Sequence, residues 1–221
     1  MGSNPTPCKG GVVKKEKKVV LYNVPLLKGE AFQSGAISLS MALNYFKRNF
    51  KMDKENFLKL LVETSKGSIF YASRHGIAYA AAKRGVKAEI LSSEKDEGFA
   101  RFYALELGKS LDVLRASFEE VKESSKKLGI KEKRISKSSA LRIIKESLKQ
   151  NKIPIVVVNG KAINSTKQEV PVWVVVSGYN GESFFINDPI REEVRELPKE
   201  VFKKAISFKN ELHIVNVFKR R

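Results

Sequence analysis

The stretch from residue 172 to residue 187 constrains this chain more than any other. An apolar run, Val172-Trp173-Val174-Val175-Val176, continues to Tyr179, meets Asn180-Gly181, and is answered by Ser183 to Asn187. β-Branched and aromatic residues flanking Asn-Gly read as a hairpin, because that dipeptide tolerates the left-handed backbone of a two-residue turn. With Asn180 and Gly181 as the turn, Tyr179 opposes Glu182, Trp173 opposes Asp188, and Val172 becomes a diagonal neighbour. Residues 153–158 read as a buried strand and residues 212–218 as a final alternating one.

The first two thirds are helical in period after a short strand at 19–24. Ile37, Met41 and Tyr45 form one row and Leu39, Leu43 and Phe46 another, which describes a buried helix over 35–47. Asp53 caps a second helix carrying Phe57, Leu60, Leu61 and Thr64 at helical spacing. An Ala-rich third over 73–84 stops at Gly85, and a strand over 86–91 follows. Leu111, Leu114, Phe118, Val121 and Leu128 mark a long amphipathic helix ended by Gly129. After a short strand near Arg134, Leu141, Ile144 and Leu148 mark another helix, and Pro198 opens a short one to Ala205. Helices first and antiparallel strands later make an α+β layout rather than a doubly wound one.

With 221 residues the chain reads as a single domain over 19–221, preceded by a basic flexible tail over 1–18. Forty-two Lys and Arg against 24 Asp and Glu give a formal charge of +18, of which the tail carries +4. That charge argues against a membrane protein, and no stretch reaches the roughly 18 apolar residues of a membrane span. A secretory signal is not expected either, since Asn23 and Pro25 interrupt the apolar run after the tail lysines. One cysteine, Cys8, cannot form an internal disulfide, and a cytoplasmic setting is expected. One Cys and two His also exclude a structural zinc cluster, and there is no Gly-rich nucleotide loop. No metal and no cofactor are expected.

Several segments recur in a telling order. Val24-Pro25 precedes Phe32-Gln33-Ser34-Gly35-Ala36-Ile37-Ser38-Leu39-Ser40-Met41-Ala42-Leu43; then come His75-Gly76-Ile77-Ala78-Tyr79-Ala80-Ala81 with Arg84-Gly85, and Pro154-Ile155-Val156-Val157-Val158. Trp173-Val174-Val175-Val176-Ser177-Gly178-Tyr179 and Ile186-Asn187-Asp188-Pro189 complete the series. Together they resemble papain-like cysteine peptidases of the bacteriocin-leader-processing, double-glycine type, over about three quarters of the chain. The resemblance implies the papain-like fold, a helical first part packed on an antiparallel sheet.

It also implies a site, and here the chain departs from the family. A thiolate at a helix N-terminus is stabilised by free N–H groups and the helix dipole, an imidazole deprotonates it, and a carboxylate orients the imidazole. The family's nucleophilic Cys falls on Ser34, and its catalytic His falls on Val172, an alkyl group that accepts no proton. The family's oxyanion-stabilising Gln falls near Lys28, leaving Gln33 to substitute through an altered loop. Only Asp188 keeps its family identity. The expected function is therefore that of a catalytically inactive peptidase-like protein, a binding module or an assembly subunit. The alternative is an active peptidase or amidase in which Ser34 is served by a non-standard base such as Lys28.

Structural roles stand beside each of these. Ser34 can be a helix N-cap, and Asp188 before Pro189 can make an Asx turn. His75 and His213 are expected to be packing or surface residues, and Cys8 an ordinary thiol. The basic excess points to polyanion binding. Arg142, Lys145, Lys149 and Lys152 form a stripe along one helix, and Lys122, Lys126, Lys127, Lys131, Lys133 and Arg134 precede it. An acidic protein surface or RNA is the expected partner, with a peptide segment in the former active-site cleft as a further one. The competing reading of these lysines is a solvated helix face.

Overall fold

The computed structural model describes residues 19–47, 50–51, 53–65, 71–93 and 97–219. The expected tail at 1–18, Cys8 included, lies outside the described residues. Strand β1 (Val20–Leu21) is followed by a short 3-10 turn, Ala31–Gln33, that runs into helix α1 (Ser34–Phe46). Helices α2 (Lys54–Thr64) and α3 (Arg74–Lys83) and strand β2 (Lys87–Ser92) come next, then helices α4 (Glu97–Leu107) and α5 (Leu111–Lys127). Strand β3 (Lys131–Arg134), helix α6 (Lys137–Lys149) and strands β4 (Ile153–Asn159), β5 (Pro171–Tyr179), β6 (Ser183–Asp188) and β7 (Glu193–Pro198) lead to helix α7 (Lys199–Ala205) and strand β8 (His213–Phe218).

The strands form one sheet in the order β3-β2-β8-β4-β5-β6-β7, with β1 pairing β5. Every pairing is antiparallel except β2 with β3. Both faces of its centre are buried, and side-chain alternation divides them. Ile153, Ile155 and Val157 of β4, with Trp173 and Val175 of β5, join α1, α3, α4 and α5 in one core. Val156, Val158, Val172, Val174 and Val176 join α6 and α7 in the other. This explains why residues 153–158 of β4 and 171–176 of β5 are apolar at every position rather than at every second one. Among the described residues no helix is long and apolar enough to cross a membrane.

The N-caps follow the expected chemistry. Asp53 Oδ1 accepts the Asn56 N–H at 2.8 Å, and Ser73 Oγ accepts the Gly76 N–H at 2.9 Å. Helix α4 and strand β7 have no counterpart in the sequence reading. In α4 the buried Phe99, Ala100, Tyr103 and Ala104 share a face; β7 is a largely polar edge strand without a run of apolar residues.

The hairpin forms with a corrected turn and register. Asn180 keeps a negative φ, so the two turn residues are Gly181 and Glu182, with Gly181 at φ +100°. Asn180 N–H donates to the Ser183 carbonyl at 3.2 Å, while its side-chain oxygen accepts the N–H groups of Glu182 and Ser183. A glycine-first turn of this kind satisfies the twist that an Asn-Gly pair would otherwise serve. Tyr179 therefore pairs with Phe184, and an irregularity between Val176 and Gly178 shifts the ladder to Val175 opposite Asn187. Continuing that count sets Asp188 level with Val174 instead of Trp173.

One close approach holds α2 to α3. A Cβ on Gly76 would lie 2.0 Å from the Thr64 carbonyl oxygen, a backbone atom that cannot swing away. Gly→Ala inside a helix ordinarily gains about 1 kcal/mol, but overpacking costs about 1–3 kcal/mol. Gly76→Ala is expected to destabilise the fold by about 2 kcal/mol in urea unfolding, reversing the sign that helix propensity alone would give.

Candidate functional site

The chain reaches α1 through a reciprocal cap, in which Gln33 Oε1 accepts the Glu30 N–H at 3.3 Å. The 3-10 turn continues directly into the helix, so Ser34 has helical φ and ψ and is not the N-cap. Its N–H is already bonded to the Ala31 carbonyl. The Ser34 hydroxyl donates to that same carbonyl at 2.7 Å and accepts the Trp173 N–H at 3.1 Å. One turn later Ser38 Oγ donates to the Trp173 carbonyl at 2.9 Å. Trp173 Nε1 donates to the Ala72 carbonyl at 3.1 Å.

Two serines on one face of α1 thus take both backbone groups of a single strand residue. They do so where β6 has ended and, among the described residues, no neighbouring strand pairs with Trp173 on that side. Ser34 is 1 % exposed. Gly35 has its own reason to be glycine, since a Cβ there would lie 2.1 Å from that of Ala72.

The side chains of the other expected site residues do not gather around Ser34. Val172 is fully buried in the α6-side core, on the opposite face of β5 from the Trp173 ring. Asp188 is fully buried too, and its carboxylate is engaged on both oxygens. Oδ1 accepts the Ile190 and Arg191 N–H groups at 3.0 and 3.3 Å, an Asx turn at the strand end. Oδ2 accepts the Ser165 hydroxyl and pairs with Arg195 of β7 at 3.3 Å. Lys28 lies on the surface, 69 % exposed, and pairs with Glu192 at 3.5 Å. Gln33 serves the cap described above. Among the described residues no imidazole, amine or carboxylate is hydrogen-bonded to Ser34 Oγ.

The expected basic stripe also divides. Lys145 Nζ donates to the Tyr179 hydroxyl at 2.6 Å and lies 4.0 Å over that ring, so it belongs to the packing of α6 on the hairpin. Lys152 pairs with Glu89 at 2.7 Å and covers the Phe218 ring at 5.0 Å. Lys149 and Lys126 make exposed pairs with Glu146 and Glu123, of the kind worth about 0–1 kcal/mol. Arg142 and Lys127 are exposed.

Both histidines, expected to be packing or surface residues, are buried in one charged network that sequence reasoning missed. Glu132 of β3 takes Arg74 Nε at 3.1 Å and Ser92 Oγ at 2.8 Å on one oxygen, and His75 Nε2 at 3.1 Å on the other. Arg74 reaches His213 Nδ1 at 3.3 Å, and His213 Nε2 lies 3.4 Å from Glu211. Glu211 in turn accepts the Gly98 and Phe99 N–H groups at the start of α4, at 2.6 and 3.0 Å. The His213 ring lies 4.3 Å from that of Phe99. A cavity of about 120 Å³ opens beside Arg74, His75, Phe99 and His213.

Burial by itself raises the Glu132 carboxyl. The hydrogen bond from His75, the Arg74 charge and the Ser92 hydrogen bond outweigh it and hold the group far below the usual carboxylate range. The signal available in sequence was slight: Glu132 is the one acid within Lys131-Glu132-Lys133-Arg134.

The family model described as Peptidase_C39 like family matches residues 25–219. The crystal structure of a Bacillus anthracis protein described as a C39-like peptidase superposes with a TM-score of 0.54 at 15 % identity, covering 92 % of this chain and 98 % of that one. At that identity the likeness shows the fold. Among curated proteins no sequence matches.

The Glu132 network carries a pH signature. A carboxyl whose folded pKa is depressed contributes stability above its unfolded pKa of about 4.3 and loses it as pH falls toward the folded value. Glu132→Gln leaves Arg74 without its carboxylate and is expected to cost about 3 kcal/mol at neutral pH. Urea unfolding at several pH values should show that difference shrinking below about pH 4.

Proposed function

The chain belongs to the Peptidase_C39-like family, and we propose that it is a member that keeps the fold without the chemistry and acts by binding. One observation carries this reading. The hydroxyl at the nucleophile position is spent on the Ala31 carbonyl and the Trp173 N–H, while the base position is an alkyl side chain facing the other core. A serine hydroxyl needs a base more than a thiolate does, and Val172 offers none. The hydrolase reading, with Lys28 as base, calls for a desolvated amine beside Ser34; the lysine is on the surface with a glutamate.

The proposed partner is an acidic protein surface or another polyanion, met by the basic outer faces. Burial of Ser34, Val172 and Asp188 favours those faces over the former cleft as the place of contact. Residues 19–221 keep a formal +14, so association should weaken as salt rises. A subunit role in a larger assembly is consistent with the same faces, and a cytoplasmic setting belongs to the same proposal.

Incubation with a diverse peptide library, read by mass spectrometry, should give no product above background, and Ser34→Ala should leave that result unchanged. The same substitution strands the buried Trp173 N–H and is expected to cost about 1–3 kcal/mol in stability. Cleavage by the wild type that Ser34→Ala abolishes would overturn the reading. Copurification at low and high salt would then identify what the protein holds.

A further inference from the structure

Four helices, α1, α3, α5 and α6, end at the same side of the molecule, around a groove at the opposite end of α1 from Ser34. The groove has a volume of about 1020 Å³, an apolar floor of Tyr45, Phe46 and Phe218, and Lys87, Lys152 and Lys219 on its walls. Lys87 and Phe218 also line a neighbouring hollow of about 480 Å³, which extends the surface to Leu128, Ile130 and Lys131.

Cations gather at helix C-termini because they complement the helix dipole, and this covers Lys126, Lys127 and Lys149 in the last turns of α5 and α6. It does not cover Lys87, Lys131 and Lys219, which stand at the ends of strands β2, β3 and β8. None of these three has a carboxylate partner among the described residues. Glu89, which lines the same hollow as Lys87 and Lys131, is already engaged by Lys152 and by Asn216 Nδ2 at 2.8 Å. The fold therefore holds three unneutralised cations around an apolar floor, and nothing in its own packing uses them.

We propose that this groove binds an acidic segment of a partner protein, with an apolar side chain on the aromatic floor and carboxylates on Lys87, Lys131 and Lys219. Charge complementarity selects the occupant. The chain's own residues 1–18 are basic and would be repelled. RNA is disfavoured because the rings of the floor do not form a parallel, open platform on which successive bases would stack. Lys152 covers Phe218, and Tyr45 meets Tyr22 and Phe46 edge to face at 5.7 and 5.0 Å. The assignment rests on the binding function proposed above but not on inactivity.

The test uses the full-length protein and three fluorescent probes: an Asp/Glu-rich peptide with a central Phe-Leu pair, the same peptide with Ser-Ser there, and a poly-uridine RNA of equal charge. The first should bind at least about tenfold more tightly than the other two. Combined Lys87→Glu, Lys131→Glu and Lys219→Glu should lower its affinity more than about tenfold with melting temperature unchanged. Lys126→Glu with Arg142→Glu and Lys149→Glu, a control of equal charge change, should alter affinity less than the groove variant. Equal binding by wild type and groove variant would reject this surface while leaving the binding function standing. Tighter RNA binding would reject the proposed partner, and no binding of any probe would remove both.

Discussion

The attachment of α1 to the backbone of Trp173 is the contact on which the rest of the molecule is arranged. Ser34 and Ser38, one helical turn apart, accept and donate to the two backbone groups of one residue, and the indole of that residue holds the Ala72 carbonyl. A buried peptide group left unbonded costs about 1–3 kcal/mol, so a strand end facing a helix must be satisfied by that helix. The same geometry brings the start of α3 against α1 so closely that residue 35 has no room for a Cβ. Ser34 is thus a hydrogen-bonded link between helix and strand, bonded to the Ala31 carbonyl and the Trp173 N–H.

The start of α3 is then held from its other side. Ser73 N–H bonds the Thr64 carbonyl, and the next two residues, Arg74 and His75, enter the Glu132 network that ties α3 to β3, β8 and α4. Buried charges are tolerable only when paired, and here each one is. Arg74 joins the two His–Glu pairs, which makes the cluster cross-linking rather than chelating; among the described residues no group of His, Cys, Asp and Glu could hold a metal ion.

The positive charge separates by structural cause. Some lysines pack over aromatic rings, as Lys145 does over Tyr179; some pair with a glutamate three residues before them; some complement a helix end. Strand-end lysines around the groove have none of these explanations, and the proposed docking rests on them.

Much of the architecture was legible in local sequence, because periodicity and caps are local. The 3.6-residue rows of α1, the Asp53 cap and the apolar strands β4 and β5 each follow from neighbours in the chain. So does the absence of a base at residue 172, since the alkyl side chain of Val172 accepts no proton in any fold. The turn was misread because Asn180 serves as a side-chain acceptor instead of adopting the left-handed backbone, and that choice depends on the strands it joins. Helix α4 and strand β7 went unread because α4 depends on Glu211, 113 residues away, to bond its first turn, and β7 is largely polar with Leu197 its one buried residue. Only the tertiary structure could assemble His75, Glu132 and His213, or set Lys87, Lys131 and Lys219 around one groove. Those residues are far apart in the chain, and long-range pairing in a sheet leaves no local periodicity to announce it.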